Sequence, residues 1–352
     1  MNKIGLLLLV VIASACSTTR SFKAVDGKKL PNSITQIQRV ELNGNKQFVT
    51  IRSTNQQKPV LLWLHGGPGN VAMPLYMHYG ASLEQQFTVV YWDQRGSGKS
   101  YSSRIDLTSM TLEQFVSDTH ELTSWLKKRF NQDKIFLVGH SWGGLLGLHV
   151  IDKYPTDYYA FVAVSPITDG PRSEQLSYEF TINQAKQQQD TVALTTLKRI
   201  GPPVNGVYKG GISDANQERN LVQKYGGAYH QNLGGSIYKI LRQSTEYNRL
   251  DYLKANKIAR LSSPMFLALL PTIDLKRQIP TLSVPIYFCL GRYDYVCPTT
   301  LVTSYYESLQ APFKEVIWFE ESAHHACFEE FRKFNSVIEE KLLPFSARQA
   351  SK

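Results

Sequence analysis

Short unbroken apolar runs alternate with stretches of helical periodicity along most of this chain. Residues 59–64 and 87–92 are continuous apolar segments ending in Gly-rich or charged loops, the pattern of parallel strands buried on both faces, and 134–138 and 160–164 read as further strands. Between them Thr111-x-x-Gln114 opens a helix through Phe130, with Leu112, Phe115, Val116, Leu122 and Leu126 on one side. Leu145, Leu148 and Ile151 line a further helix. Strand and helix alternating in this way predict an α/β fold, a mostly parallel sheet flanked by helices. Ahead of it, residues 37–42 and 48–51 flank Asn43-Gly44-Asn45 and predict a hairpin, because Asn-Gly supplies the positive φ that such turns need.

From 166 to 275 the alternation stops. Gln-rich helical stretches mix there with Pro202-Pro203, Gly210-Gly211 and Gly226-Gly227, and strand signals nearly vanish. The strand pattern returns at 284–290 and 314–319, and a helix closes the chain near 329–343. The expected organisation is therefore one α/β core, 34–165 and 276–345, split by an inserted mainly helical cap, 166–275. A length of 352 residues with 42% hydrophobic positions suffices for a large core and excludes a small binding module.

The amino-terminal segment reads differently. Lys3, an apolar run at 4–12 and the small residues Ala13-Ser14-Ala15 before Cys16 have the layout of an export signal over 1–15. The run is too short for a mature membrane span of ~20 residues. Cys16 stands where a bacterial lipoprotein carries its lipidated cysteine, with 16–33 as a polar tether. Ala13 departs from the Leu usual in that pattern, and Ala13-x-Ala15 also suits ordinary cleavage to a periplasmic or secreted soluble form. Net charge is +10, yet the only dense basic run is Lys127-Lys128-Arg129, and no recognition module or stripe of stacking aromatics accompanies it. No nucleic-acid partner is expected.

Gly139-His140-Ser141-Trp142-Gly143-Gly144 follows a predicted strand and opens a predicted helix, the context in which G-x-S-x-G forms a nucleophile turn. Ser141 is the candidate nucleophile. A β-carbon at Gly139 or Gly143 would collide with the neighbouring strand or helix. Two backbone N–H groups should face the oxyanion: Trp142, which follows the serine, and Gly67 in His65-Gly66-Gly67-Pro68-Gly69, since Pro68 has no N–H. His65 is read as an anchor for that loop. Serine needs a base oriented by a carboxylate. Asp294 follows the strand at 284–290 and His324 the strand at 314–319, in the chain order Ser, acid, His; His325 competes for the base, while Asp169 and Asp274 are weaker acids at the cap edge. Asp93 and Arg95 are expected to brace loops beside the site. Gly98-Lys99-Ser100 imitates the end of a phosphate loop, but Asp93 occupies the place of its first glycine. No metal and no cofactor are implied. Cys289 reads as a small buried hydrophobe, and Cys297 and Cys327, each three residues beyond a candidate triad member, form a candidate disulfide.

With these motifs in place, the sequence resembles the α/β-hydrolase superfamily and, within it, the proline iminopeptidase-like group of serine peptidase family S33. The resemblance rests on His65-Gly-Gly-Pro-Gly69, Asp93-Gln-Arg-Gly-Ser-Gly-Lys-Ser100 and Gly139-His-Ser-Trp-Gly-Gly144, and covers roughly 35–165 and 280–345. It implies an aminopeptidase that releases an N-terminal proline or other small residue from short peptides, with Ser141, Asp294 and His324 in the matched catalytic positions. His140 departs from the Gly that many prolyl peptidases carry there. The cap has no residue-by-residue match. A substrate ammonium needs buried carboxylates, for which Glu174, Glu179 and Glu246 are available. The alternatives are an esterase or amidase of small acyl compounds, and a non-catalytic binding protein on a hydrolase scaffold.

Overall fold

The computed structural model describes residues 18–350; the expected signal at 1–15 and Cys16 lie outside the described residues. The strands are β1 (Ile34–Leu42), β2 (Asn45–Ser53), β3 (Val60–Leu64), β4 (Thr88–Asp93), β5 (Ile135–His140), β6 (Tyr158–Val164), β7 (Ile286–Gly291) and β8 (Lys314–Phe319). They form one sheet in the order β1-β2-β4-β3-β5-β6-β7-β8. The β1–β2 and β2–β4 pairs are antiparallel, and every later pair is parallel. Asn43 and Gly44 both take positive φ at the hairpin turn, as an Asn-Gly two-residue loop requires.

Helices α1 (Met73–Tyr79), α2 (Leu112–Phe130) and α3 (Trp142–Lys153) connect the first parallel strands. Leu62, Leu64, Val90 and Leu137 pack with Phe115 and Leu145 on the α2–α3 face. Their neighbours Leu61, Trp63, Val89 and Phe136 pack on the opposite face with Met73 of α1 and Phe334 near the carboxyl end. Strand residues thus alternate between two cores, which is why these runs carry few polar positions. Thr111 caps α2 by accepting from Gln114 N–H, and Lys127, Lys128 and Arg129 fill its last turn. The densest basic run in the chain therefore faces the negative end of a helix dipole.

The insertion leaves after β6 and runs through α4 (Gly170–Gln187), α5 (Thr191–Ile200), α6 (Ile212–Lys224), α7 (Gly234–Gln243), α8 (Arg249–Leu253) and α9 (Ala255–Leu269). Asp169 and Asp274 meet at its neck in an isolated bridge, and Gly170 N–H donates to Ile273 O while Leu275 N–H donates to Thr168 O. Both candidate acids at the cap edge are therefore used at its root: each also caps a following turn, Asp169 that of α4 and Asp274 that of α10 (Leu275–Gln278). After β7, α11 (Thr299–Ser308) leads to β8, and α12 (Ala326–Glu329) and α13 (Phe331–Ala350) close the described chain.

Residues 18–33, read from sequence as a polar tether, lie against the domain. Thr18 N–H donates to Thr245 O of the cap at 3.1 Å. Arg52 donates to Arg20 O at 2.8 Å and to Thr19 Oγ1, and its guanidinium covers the Phe22 ring. Among the described residues no helix is long and apolar enough to cross a membrane.

Candidate active site

The turn between β5 and α3 holds Ser141 at φ 56°, ψ −116°, a backbone state that a residue with a side chain rarely adopts and that persists only where its surroundings enforce it. Two glycines enforce it. A Cβ on Gly139 would stand 2.1 Å from Gly143 O, and one on Gly143 would stand 2.2 Å from Leu64 O and 2.8 Å from His65 O. The turn can be this tight only while both positions lack side chains. Gly143→Ala is accordingly expected to lower stability by about 3 kcal/mol, the scale of overpacking in a closed core, because the obstruction is backbone of β3. A urea denaturation series measures it; a midpoint equal to that of the parent would show that the β3 end yields freely.

Asp294 follows β7 and is buried. Its Oδ1 accepts from Val296 and Cys297 N–H, both at 2.9 Å, and its Oδ2 faces His324 Nδ1 at 3.0 Å. The two N–H groups fix the carboxylate plane so that the free oxygen aims at the imidazole. With Nδ1–H donating to Asp294, the opposite nitrogen of His324 carries the acceptor lone pair. His324 and Ser141 line one cavity of about 270 Å³ beneath the cap. His325 lines the same cavity, but its ring stacks on Tyr229 and Phe328 and its Nδ1 is buried without a partner. Burial holds His325 well below the usual imidazole range, so it stays neutral. Of the two adjacent histidines, only His324 meets a carboxylate.

The loop after β3 is braced from several sides. His65 Nδ1–H donates to Gly66 O at 2.7 Å, and Nε2 accepts from Gln94 N–H at 3.3 Å. Burial lowers the His65 pKa to about 4, which leaves the neutral ring as a two-ended strut. Gln94 extends the brace by donating to His65 O and accepting from Trp142 Nε1–H. Gly66 N–H donates to Tyr76 Oη, which lies 2.9 Å from His140 Nδ1, while His140 Nε2 lies 2.9 Å from His324 O. With Tyr76 O–H donating to Nδ1, the His140 Nε2–H is free to donate to that carbonyl. His140, the departure noted in the sequence, thus ties the Gly-rich loop to the histidine loop. Burial, aided by its histidine neighbour His324, lowers its pKa to about 3. Gly67 lies beside Ser141 in the cavity wall. The Trp142 N–H, at the first position of α3, has no acceptor within its own helix.

Asp93 and Arg95 brace as expected. Asp93 accepts from Lys99 N–H and from Tyr247 O–H of the cap, and burial pushes its pKa up to about 7. Arg95 grips Asp118 through two N–H groups at 2.7 and 2.8 Å, the planar fork that suits a buried carboxylate.

Of the three cap carboxylates read from sequence, Glu174 alone reaches the cavity. It lines the same pocket as Ser141 and is 6% exposed; its Oε1 accepts from Arg219 at 2.7 Å, and its Oε2 has no partner. Glu179 instead pairs with Arg172 at 3.6 Å on the cap surface, and Glu246 turns back on Ser244 and Thr245 in the α7–α8 loop. Sequence reading missed Glu218. It is fully buried on α6, its Oε2 lies 3.8 Å from Arg219 without a hydrogen-bond partner, and burial lifts its pKa to about 7. Its one visible signal is spacing, because Asp214, Glu218 and Val222 share a helical face that is buried. Two carboxylates thus share one guanidinium.

The candidate Cys297–Cys327 disulfide is not formed: both thiols are free and buried. The sheet separates them, since Cys297 belongs to the apolar cluster of the α2–α3 face and Cys327 to that of the α1–α13 face. Cys289 is the fully buried small hydrophobe expected. Among the described residues no cluster of His, Cys, Asp or Glu could hold a metal ion.

Residues 55–330 match the family model described as serine aminopeptidase, S33. The chain is 33% identical over 317 residues to the probable aminopeptidase YbaC of Bacillus subtilis, covering 87% of this chain and 96% of that protein. It is 26% identical to a proline iminopeptidase of Heyndrickxia coagulans, over 84% of this chain and 94% of that one. Among solved structures, a proline iminopeptidase-related protein of Thermus thermophilus shares the fold with a TM-score of 0.61 at 17% identity, over 89% of this chain and 99% of that one. A family model that spans most of the chain and a relative aligned almost end to end agree with the sheet order and the strained serine turn: the chain is a serine hydrolase of the α/β-hydrolase superfamily and belongs to the S33 serine aminopeptidase family.

Proposed function

We propose that this protein is an exported, lipid-anchored aminopeptidase that releases an N-terminal proline or other small residue from short peptides through an acyl-enzyme on Ser141. His324 takes the hydroxyl proton as Ser141 attacks and returns it to the leaving amine, while Asp294 keeps the ring in the required tautomer and stabilises the imidazolium. The N–H groups of Gly67 and Trp142 receive the oxyanion. Cys16 carries the anchor.

The observation that carries the reading is the unpartnered, buried Oε2 of Glu174 in the wall of the cavity that Ser141 and His324 share. With Glu174 and Glu218 both ionised, Arg219 balances only one of them, and the cluster keeps one negative charge out of water. Such a charge is costly unless a cation joins it. A substrate ammonium is that cation, and it fixes the substrate so that the first peptide bond meets Ser141. Esters and capped amides have no such charge to offer. The discriminating experiment compares Pro-, Ala- and acetyl-capped aryl amides with short-chain aryl esters. Preference for the free-amine amides supports the aminopeptidase; equal turnover of capped and free substrates sinks it in favour of the esterase or amidase.

The cluster also predicts a pH dependence. Burial raises Glu218 to about 7, so below that pH it is protonated and Glu174 and Arg219 cancel. KM for free-amine substrates should then fall as pH rises through about 7, until the substrate amine itself loses its proton. Glu218→Gln, permanently neutral, should flatten this limb. A limb of equal size for acetyl-capped amides would assign it to another group.

A further inference from the structure

We propose that the exposed face of the cap segment 234–260 is a docking surface for an anionic lipid bilayer. This segment carries six cations, Lys239, Arg242, Arg249, Lys254, Lys257 and Arg260, against two acids. Both acids are buried and engaged: Glu246 within its own loop, and Asp251 in the α8 cap and against Lys99. What the segment shows to solvent is therefore positive, although the charge of the whole sequence looks dispersed.

The same segment also exposes large apolar side chains. Leu250 is 60% exposed and Leu253 74%, and Tyr238 on α7 is 68% exposed. Leu250 and Leu253 are three apart on α8 and lie side by side. Leu253, Lys257 and Arg260 follow at helical spacing along the exposed side of α8 and α9. Leucine and tyrosine interleaved with lysine and arginine is the composition of a helix that lies in the headgroup region of an anionic membrane.

The path of the chain supplies the second argument. Thr18 N–H donates to Thr245 O, in the loop between α7 and α8. Cys16 is two residues from Thr18, a span of at most about 7 Å. The inference rests here on the proposed anchor: a lipid on Cys16 holds this loop near the bilayer. The basic and apolar side chains are thus on the segment that the anchor would press against lipid. Leu241 of α7 lines a cavity that contains Ser141, so the docked segment also borders the site.

The test uses the full-length protein, produced with its leader, purified from the membrane fraction and reconstituted on vesicles of phosphatidylcholine alone or mixed with phosphatidylglycerol. Flotation reports the anchor, and amide hydrogen exchange reports the cap segment. The expected result is flotation with both vesicles and exchange about tenfold slower across 234–260 on the anionic ones only. The charge-reversed variant Lys239→Glu, Arg242→Glu, Lys257→Glu, Arg260→Glu should float equally and lose the slowing, with its hydrolysis of a soluble aryl amide showing that it is folded. Leu250→Asn with Leu253→Asn should weaken the slowing without changing charge. Flotation with equal exchange on the two vesicles overturns the docking surface alone. Failure of the parent to float on either overturns the anchor and the docking together.

Discussion

Ser141→Ala is expected to lower kcat/KM roughly 10⁴- to 10⁶-fold, the scale seen when a serine nucleophile is removed from an intact triad, while the melting temperature stays that of the parent. The reasoning is local. The hydroxyl sits at the apex of a turn whose shape is set by Gly139, Gly143 and the β3 end, and the turn backbone is held by Ser141 N–H donating to Val164 O at 2.8 Å. Alanine keeps that backbone, so only the reacting oxygen is lost. Steady-state kinetics with a free-amine aryl amide, alongside a thermal melt, give the answer. A variant that retains more than about a hundredth of parental activity would move the chemistry to another residue, because the oxyanion N–H groups alone leave far less.

The second large effect concerns selectivity. Glu174→Gln should lower kcat/KM about a hundredfold for substrates with a free amino terminus, close to 2.7 kcal/mol at 1.36 kcal/mol per decade, and leave acetyl-capped amides almost untouched. Glutamine keeps the volume and a hydrogen-bond acceptor for Arg219, so packing between α4 and α6 survives. What disappears is the uncompensated negative charge that Arg219 does not cover. Equal losses for capped and free substrates would make Glu174 a structural partner of Arg219 and nothing more. The two variants also separate cleanly, since Ser141→Ala stops every substrate and Glu174→Gln only one class.

Much of the core was legible because its signals are local. An apolar run of five or six residues followed by a Gly-rich turn favours a buried strand feeding a loop, and the order along the chain set Ser141, Asp294 and His324 after β5, β7 and β8. Choosing between His324 and His325 needed three dimensions, since both follow the same strand and only the ring directions differ. The cap resisted for a physical reason. Glu218 sits in Gln217-Glu218-Arg219, which reads as a solvated helix face, and its burial comes from α4 packing against α6 some forty residues away. Glu179 and Glu246 looked equivalent to Glu174 because distance along the chain does not report which side of a helix faces the sheet. The candidate disulfide failed similarly: equal offsets from two triad residues say nothing of the sheet that separates Cys297 from Cys327.

The chemistry requires that one strained hydroxyl, that of Ser141, becomes covalently reactive. Incubation of the protein with a fluorophosphonate probe, followed by digestion and mass-spectrometric mapping of the adduct, measures this without assuming a substrate. A single phosphonylated residue, Ser141, is expected, with activity lost in proportion to labelling and no adduct on Ser141→Ala. An active protein that takes up no label, or one labelled elsewhere while Ser141 stays unmodified, would contradict it.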